Sequence, residues 1–168
     1  MVQRSLFIFS ALMMVSVASA VGQEASPVAK PEEFASKATI SGLYEIEAGK
    51  LAATKGLDQR VRSFANQMII DHAEAQKELS ATAGKTMLPA AVDTVHAKML
   101  DALRAASPDQ FDRLYVDQQV SAHSDAVAIF TGFSTSGPNG ALKGLAAKLL
   151  PTLQHHQEMI GQLKSKFQ

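Results

Sequence analysis

The sequence predicts an all-α protein, a ferritin-like four-helix bundle made of two helical hairpins. Four segments repeat apolar residues at steps of three, four and seven, which is the period of an amphipathic helix. Residues 84–106 separate the two pairs of segments. That connection is long enough to hold a short helix and to return the chain to its starting end, as in the ferritin-like form of the bundle. No segment alternates apolar and polar residues as a half-buried strand would.

The N-terminus predicts a secretory signal peptide over residues 1–20. Arg4 precedes an uncharged apolar run, and small residues at the −3 and −1 positions predict cleavage near Ala20. The run is shorter than the roughly 20 residues that a membrane-spanning helix needs. We expect residues 21–30 to form a flexible leader and residues 31–168 to form the bundle domain. The mature protein is therefore expected to be exported to the periplasm or cell envelope.

The first hairpin is predicted from its start and stop signals. A helix over 31–54 begins with Pro31, which suits a first turn, and two glutamates follow it. The second helix, over 58–83, begins at the cap residue Asp58 and ends before Gly84. Its apolar stripe is the clearest in the chain. Together these signals predict two antiparallel neighbours joined by a short turn.

The second hairpin follows the crossover. A short helix is predicted over 92–106, and a Ser-Pro-Asp start signal opens a long helix over 107–133. The breaker-rich segment 134–140 predicts a tight loop. A last helix is predicted over 142–167, interrupted and kinked at Pro151, which removes one backbone hydrogen bond.

Charge and composition narrow the classes of function. The chain has 16 basic residues, 16 acidic residues and no cysteine. A net charge near zero gives no reason to expect a nucleic-acid partner, and the mature chain has no segment that would cross a membrane. Without cysteine there are no disulfides, so the fold must depend on its core. Phosphate-loop, nucleophile-elbow and His-Glu-x-x-His motifs are missing from the sequence, which favours a non-enzymatic role.

Three histidines, His72, His123 and His156, fall in the apolar stripes of three different predicted helices. A polar ring on a core face needs a partner, because burying it alone costs free energy. One interpretation is a structural core, with the rings bonded to Gln119, Thr152 or tyrosine hydroxyls. A second is a site for one transition metal ion, and a third is a pocket for a small organic ligand.

The metal hypothesis adds Glu45, on the core side of the first predicted helix, to the three histidines. Imidazole suits zinc, copper, iron and nickel, and a bundle core can present ligands from facing helices. Heights counted along the helices place His72 and His123 level with each other. Glu45 and His156 are expected about one and a half turns nearer the end of the bundle that holds the first turn.

A di-iron centre is not expected. Its signature is a glutamate three residues before a histidine on two helices. The corresponding positions here are Ile69, Val120 and Leu153, which are all apolar. A metal in this core would therefore be a single ion.

Four motifs in order resemble a known family. They are GLYEIEAGKLA at 42–52, VRSFA at 61–65 followed by MIIDH at 68–72, Phe111 and Asp112 with Tyr115, Val120 and His123, and Leu150 and Pro151 with Leu153 and His156. The chain is similar, over about 31–165, to exported bacterial proteins grouped as domain of unknown function 4142, often labelled predicted outer membrane proteins. The resemblance implies a ferritin-like bundle in the envelope and no established reaction. The motif positions that match are Glu45, Glu47, Asp71, His72, His123 and His156.

Taken together, these patterns predict an exported envelope protein that acts as a non-enzymatic binding or stress-type bundle. The alternative is a metal-binding or metal-dependent redox protein that uses the core histidines. The metal hypothesis requires the three imidazoles and a Glu45 oxygen to converge on one point. In a bundle without a metal, the imidazoles would lie apart and form hydrogen bonds with other polar groups.

Overall fold

Five helices account for most of the chain in a computed structural model that describes residues 30–138 and 140–167. They are α1 (Pro31–Lys55), α2 (Gln59–Ala83), α3 (Thr94–Ala105), α4 (Pro108–Ser136) and α5 (Ala141–Lys164). The predicted signal peptide, and the predicted leader apart from its last residue, lie outside the described residues. The described part of the chain has no strand, so the predicted all-α class is confirmed.

The helices begin where the sequence supplies caps. Asp58 accepts a hydrogen bond from the backbone amide of Arg60 at the start of α2, and Asp93 accepts one from that of His96 at the start of α3. Each carboxylate satisfies a backbone donor that has no partner within its helix, and it complements the positive end of the helix dipole. At the end of α2, Gly84 has a φ of 62°, a left-handed conformation that glycine adopts without strain.

Helices α4 and α5 differ from the sequence-based prediction. Helix α4 continues through Ser136, although residues 134–140 were predicted to form a loop. Gly137 is no longer helical, because the proline that follows it, Pro138, disfavours the helical conformation in the residue before it. The predicted interruption at Pro151 is also absent: α5 continues through this proline as one helix.

The topology is that of two hairpins joined by a crossover. Helices α1 and α2 form the first hairpin, and α4 and α5 form the second. Phe34, near the start of α1, stacks on Phe133 near the end of α4, with ring centroids 4.0 Å apart. Helices α1 and α4 are therefore antiparallel, which requires the crossover through α3 to return the chain to the α1–α2 turn. This is the predicted ferritin-like bundle.

The apolar core consists of two clusters at opposite ends of the bundle. The cluster near the α1–α2 turn includes Val61, Phe64, Phe111, Tyr115 and Ile160. The cluster at the other end includes Phe34, Leu79, Phe130, Phe133 and Leu153. On α2, α4 and α5, one buried histidine lies in sequence between the residues of the two clusters. The fold therefore surrounds a polar layer with apolar material on both sides.

No described helix has the length and apolar character to span a lipid bilayer.

The buried carboxylate of Asp112 ties α4 to the α1–α2 turn. It accepts hydrogen bonds from the backbone amides of Leu57, at 3.1 Å, and Asp58, at 2.7 Å. Without it, two partly buried backbone donors would lose their acceptor. A sequence pattern does not reveal this role, because the bonds cross between elements far apart in the chain.

We predict that Asp112→Ala lowers the free energy of unfolding by about 2–3 kcal/mol, because it leaves these amides without an acceptor. Urea denaturation of the metal-free protein measures the change. The matched control is Asp125→Ala, which removes an exposed carboxylate from the same helix and should change stability by less than about 0.5 kcal/mol. Equal effects of the two substitutions would contradict this role of Asp112.

Candidate metal centre

Helices α2, α4 and α5 each bring one histidine into the polar layer. The residues His72, His123 and His156 are 6%, 1% and 2% exposed. Each occupies the position that the apolar spacing of its own helix assigns to the core. The bundle therefore buries three imidazole rings from three helices in one place, and we refer to them as the histidine triad.

The three rings of the triad are equally close to one another. The ring centroids lie 5.8 Å apart for His72 and His123, 5.6 Å for His72 and His156, and 5.6 Å for His123 and His156. One nitrogen from each ring lies within 4.8 Å of the other two. His72 and His123 therefore lie side by side as predicted, whereas the prediction that His156 lies about one and a half turns away from them is wrong. The same predicted offset is wrong for Glu45, which lies beside His123.

The height of His156 depends on the position of α5 along α4. The prediction assumed that the last helix reaches the α1–α2 turn. In the structure, α5 ends at Lys164, and the ammonium of Lys164 pairs with Asp117, well inside α4. This contact reflects the offset of α5 along α4, which brings His156 level with His123.

Two rings of the triad are oriented by hydrogen bonds on their outer side. Nδ1 of His123 lies 3.0 Å from the backbone carbonyl of Gln119, and Nε2 of His156 lies 2.8 Å from a carboxylate oxygen of Asp71. A carbonyl and a carboxylate only accept, so these two ring nitrogens carry the hydrogen. The other nitrogen of each neutral ring then presents a lone pair to the interior.

One nitrogen of each ring is buried without a hydrogen-bond partner: Nε2 of His72, Nε2 of His123 and Nδ1 of His156. Leaving a buried polar atom unsatisfied costs about 1–3 kcal/mol. Protein-bound metals use neutral imidazoles whose other nitrogen donates to a carbonyl or carboxylate, which is the arrangement of His123 and His156. The residues present therefore fit a transition metal ion.

The electrostatic environment keeps the triad neutral. Burial lowers the pKa of His72 well below its ordinary range, and the neighbouring imidazoles lower it further. Burial also lowers the pKa of His123 to about 4. The pKa of His156 is lowered by burial as well, although its hydrogen bond to Asp71 opposes the shift. Neutral imidazole is the form that binds a metal, so protons compete weakly for these nitrogens.

Glu45, the predicted fourth ligand, lies next to the triad but outside its group of close nitrogens. Its Oε1 is 3.9 Å from Nδ1 of His123, the nitrogen that is bonded to the Gln119 carbonyl. The side chain is buried, and this burial raises the pKa of Glu45 to about 8. A neutral carboxyl group therefore adjoins the outer side of His123 near neutral pH.

The polar partners expected for purely structural histidines are only partly present. The Gln119 side-chain amide is buried without a partner, as is the hydroxyl of Tyr115, and Thr152 is exposed. The hydroxyl of Tyr44 donates to Gln118 at 2.9 Å instead of to a histidine. Each ring of the triad thus keeps one unsatisfied nitrogen, which the core interpretation does not explain.

Two features of the site were harder to read from the sequence. Asp71 adjoins His72 in sequence but faces α5, where it bonds His156. The sequence marks Asp71 only as a motif position that matches the family. A cavity of about 50 Å³ opens beside His72 and His156. The sequence feature that corresponds to this cavity is a set of small residues on α1 and α2 that line it: Ala38, Gly42 and Ala75. His155, next to His156 on α5, lies off the apolar stripe of that helix and is exposed.

The fold is similar to two solved structures. One is described as "CopM in the Cu(II)-bound form", with a TM-score of 0.71 and 20% sequence identity over 84% of this chain and 99% of that chain. The other is a crystal structure of a DUF305 fragment from Deinococcus radiodurans, with a TM-score of 0.68 and 16% identity over 84% of this chain and 99% of that chain. At these identities the similarity establishes the helical bundle alone.

No curated protein matches the chain at a significant level. The model of one protein family, however, matches residues 16–163, which is most of the sequence. That match includes every helix of the structure almost to the end of α5, and it agrees with the motifs on α1, α2, α4 and α5. The chain belongs to the family described as domain of unknown function DUF4142.

Proposed function

We propose that this protein binds one transition metal ion through His72, His123 and His156. The observation that carries the proposal is the set of three buried ring nitrogens that lack a partner and come from three helices. Packing that leaves three such atoms together is costly unless something accepts their lone pairs. The geometry thus favours the metal-binding hypothesis over the structural core and over a non-enzymatic bundle without a metal.

Copper(II) is the first candidate for the ion. A site of three imidazole nitrogens without thiolate or thioether suits Cu(II) and Zn(II), and a given nitrogen site binds Cu(II) more tightly than Zn(II). The similar bundle of CopM is described in a Cu(II)-bound form, which supports the choice. Zinc is the main competitor, and a competition titration with both ions ranks them. A di-iron centre is not proposed, because the Glu-x-x-His pattern is missing at all three histidines.

The proposed place of action is the cell envelope. The signal-peptide pattern over residues 1–20 supports export with cleavage near Ala20, followed by the leader 21–30 and the bundle domain 31–168. An exported bundle without cysteine would hold a metal by nitrogen ligands that do not oxidise to disulfides. N-terminal sequencing of the protein from the envelope fraction tests this placement, and a mature chain that starts at Met1 would contradict it.

We predict that the purified full chain binds one equivalent of Cu(II) and that His72→Ala weakens the affinity at least about 100-fold, since a direct ligand should cost no less than an outer partner. Isothermal titration and elemental analysis measure the affinity and the stoichiometry. His155→Ala, which removes an exposed imidazole next to His156, is the matched control and should bind as the wild type does.

Equal copper binding by the wild type and His72→Ala would overturn the proposal, as would no binding by either. Glu45→Gln in the same titration decides the role of Glu45. A loss as large as that of His72→Ala would make its carboxylate a fourth ligand. From its position beside the outer nitrogen of His123, we expect a loss of less than about tenfold.

Asp71 generates a further prediction. Its carboxylate accepts from His156 and is itself held by the side-chain amide of Gln67 at 2.7 Å. Removing such an outer partner lets the ligand ring turn, so we predict that Asp71→Ala weakens Cu(II) binding by about 10–100-fold. Glu74→Ala removes an exposed carboxylate one turn along α2 and is the control. Identical affinities for the two variants would show that Asp71 does not orient the ring.

The charge state of Glu45 makes the stability of the metal-free protein depend on pH. The pKa of Glu45 in the folded protein, about 8, lies above its ordinary value of about 4.3. Between about pH 4.3 and 8 the carboxyl group therefore carries a proton in the native state but not in the unfolded chain. The resulting stabilisation is present below pH 4 and is lost as the pH rises through 8. The buried histidines act in the opposite sense, since only the unfolded chain takes up protons as the pH falls through about 6.5.

We therefore predict that, between pH 7 and 9, the wild type loses about 1–1.5 kcal/mol of unfolding free energy relative to Glu45→Gln. Gln copies the shape of the neutral carboxyl but cannot ionise, and the histidine contributions cancel in the difference. Urea denaturation at several pH values measures both curves. Parallel curves over this range would contradict a buried neutral carboxyl at position 45.

A further inference from the structure

The cavity beside the triad has room for only a few atoms. Its volume of about 50 Å³ accommodates roughly three water-sized atoms. His72 and His156 line it, whereas His123 does not. Much of the remaining wall is small or apolar: Ala38, Gly42, Ala75, Leu79, Ala126 and Phe130. The cavity therefore reaches His72 and His156 from one side and has space for a compact ligand.

The polar part of the wall supplies hydrogen-bond donors. The lining residues include Ser41 and Thr152, which carry hydroxyl groups, and Gln76, which carries a side-chain amide. Gly42 makes the position of this amide possible, because a Cβ at position 42 would collide with it. The amide also donates to the backbone carbonyl of Thr39 at 2.8 Å, which holds it in place. Such donors favour a ligand that accepts hydrogen bonds.

The charge of the proposed site also favours an anion. Three imidazoles are neutral ligands, so they leave the double charge of the ion uncompensated in a low-dielectric interior. Asp71 lines the cavity too, and its carboxylate bonds Nε2 of His156, which supplies one negative charge. One further negative charge close to the metal would complete the balance.

We propose that this cavity binds a small anion of two or three heavy atoms, which fills the coordination position that the histidine triad leaves open. The inference rests on the proposed function, since it needs the metal in the triad. Three protein ligands with an additional position for a small molecule are a common arrangement for such ions. Glu45 does not fill this position, because it adjoins His123, and neither residue lines the cavity.

The test uses Cu(II) and azide, a linear anion of three atoms, with the full-length protein. Azide binding to the copper-loaded wild type is followed by the charge-transfer absorption that azide gives with Cu(II). Ala75→Leu fills the cavity next to His72 and is expected to weaken azide binding by at least about tenfold. Ala73→Leu makes the same substitution outside the cavity on the same helix and should leave azide affinity unchanged. Ala75→Val should give an intermediate loss, which keeps the series informative if the leucine variant does not fold.

Copper titrations of the same variants separate the two proposals. The expected result is equal Cu(II) affinity in the wild type and the variants, with azide affinity falling in the order of side-chain size at position 75. Copper binding without any azide absorption, or equal azide affinity in Ala75→Leu and Ala73→Leu, would overturn the anion site while leaving the metal site intact. Failure of the wild type to bind copper would remove the proposed function itself and the anion site with it.

Discussion

The structure depends on the burial of three imidazole rings that do not satisfy one another. Neutral His72, His123 and His156 each keep one buried nitrogen without a partner, and they lie between apolar clusters at the two ends of the bundle. A core of this kind is unfavourable as mere packing, because each unsatisfied atom costs free energy and no hydrophobic gain offsets it. An electrophile, such as a metal ion, that accepts a lone pair from each of the three rings would remove this cost. The metal-binding proposal follows from this constraint.

The groups around the triad orient its rings and set their relative heights in a way that favours metal binding. The Gln119 carbonyl and the Asp71 carboxylate fix which nitrogen of His123 and of His156 faces inward, so the site is organised before a ligand arrives. Burial keeps the rings neutral, and the offset of α5 along α4 brings His156 level with the other two. Asp112 holds the α1–α2 turn against α4, and this contact fixes the relative height of two of the three contributing helices. The site therefore depends on the offsets of α2, α4 and α5 along the bundle as much as on the presence of the three histidines.

The sequence predicts the local features well, because they depend on neighbours along the chain. Pro31, Asp58 and Gly84 mark helix boundaries by their own chemistry, and apolar spacing is enough to assign the three histidines to core faces. The relative height of His156 could not be predicted, since it depends on where α5 ends against α4. The bond from Asp71 to His156 and the cavity likewise arise from contacts between distant helices. Periodicity reveals the face of a helix but not its offset along the bundle.

Metal binding by the triad can be tested with a crystal structure of the full chain soaked in Cu(II), with diffraction recorded at the copper absorption edge. We expect one strong anomalous peak inside the bundle, about 2 Å from one nitrogen each of His72, His123 and His156. A triad without a peak, or copper bound only at exposed histidines such as His155, would contradict it.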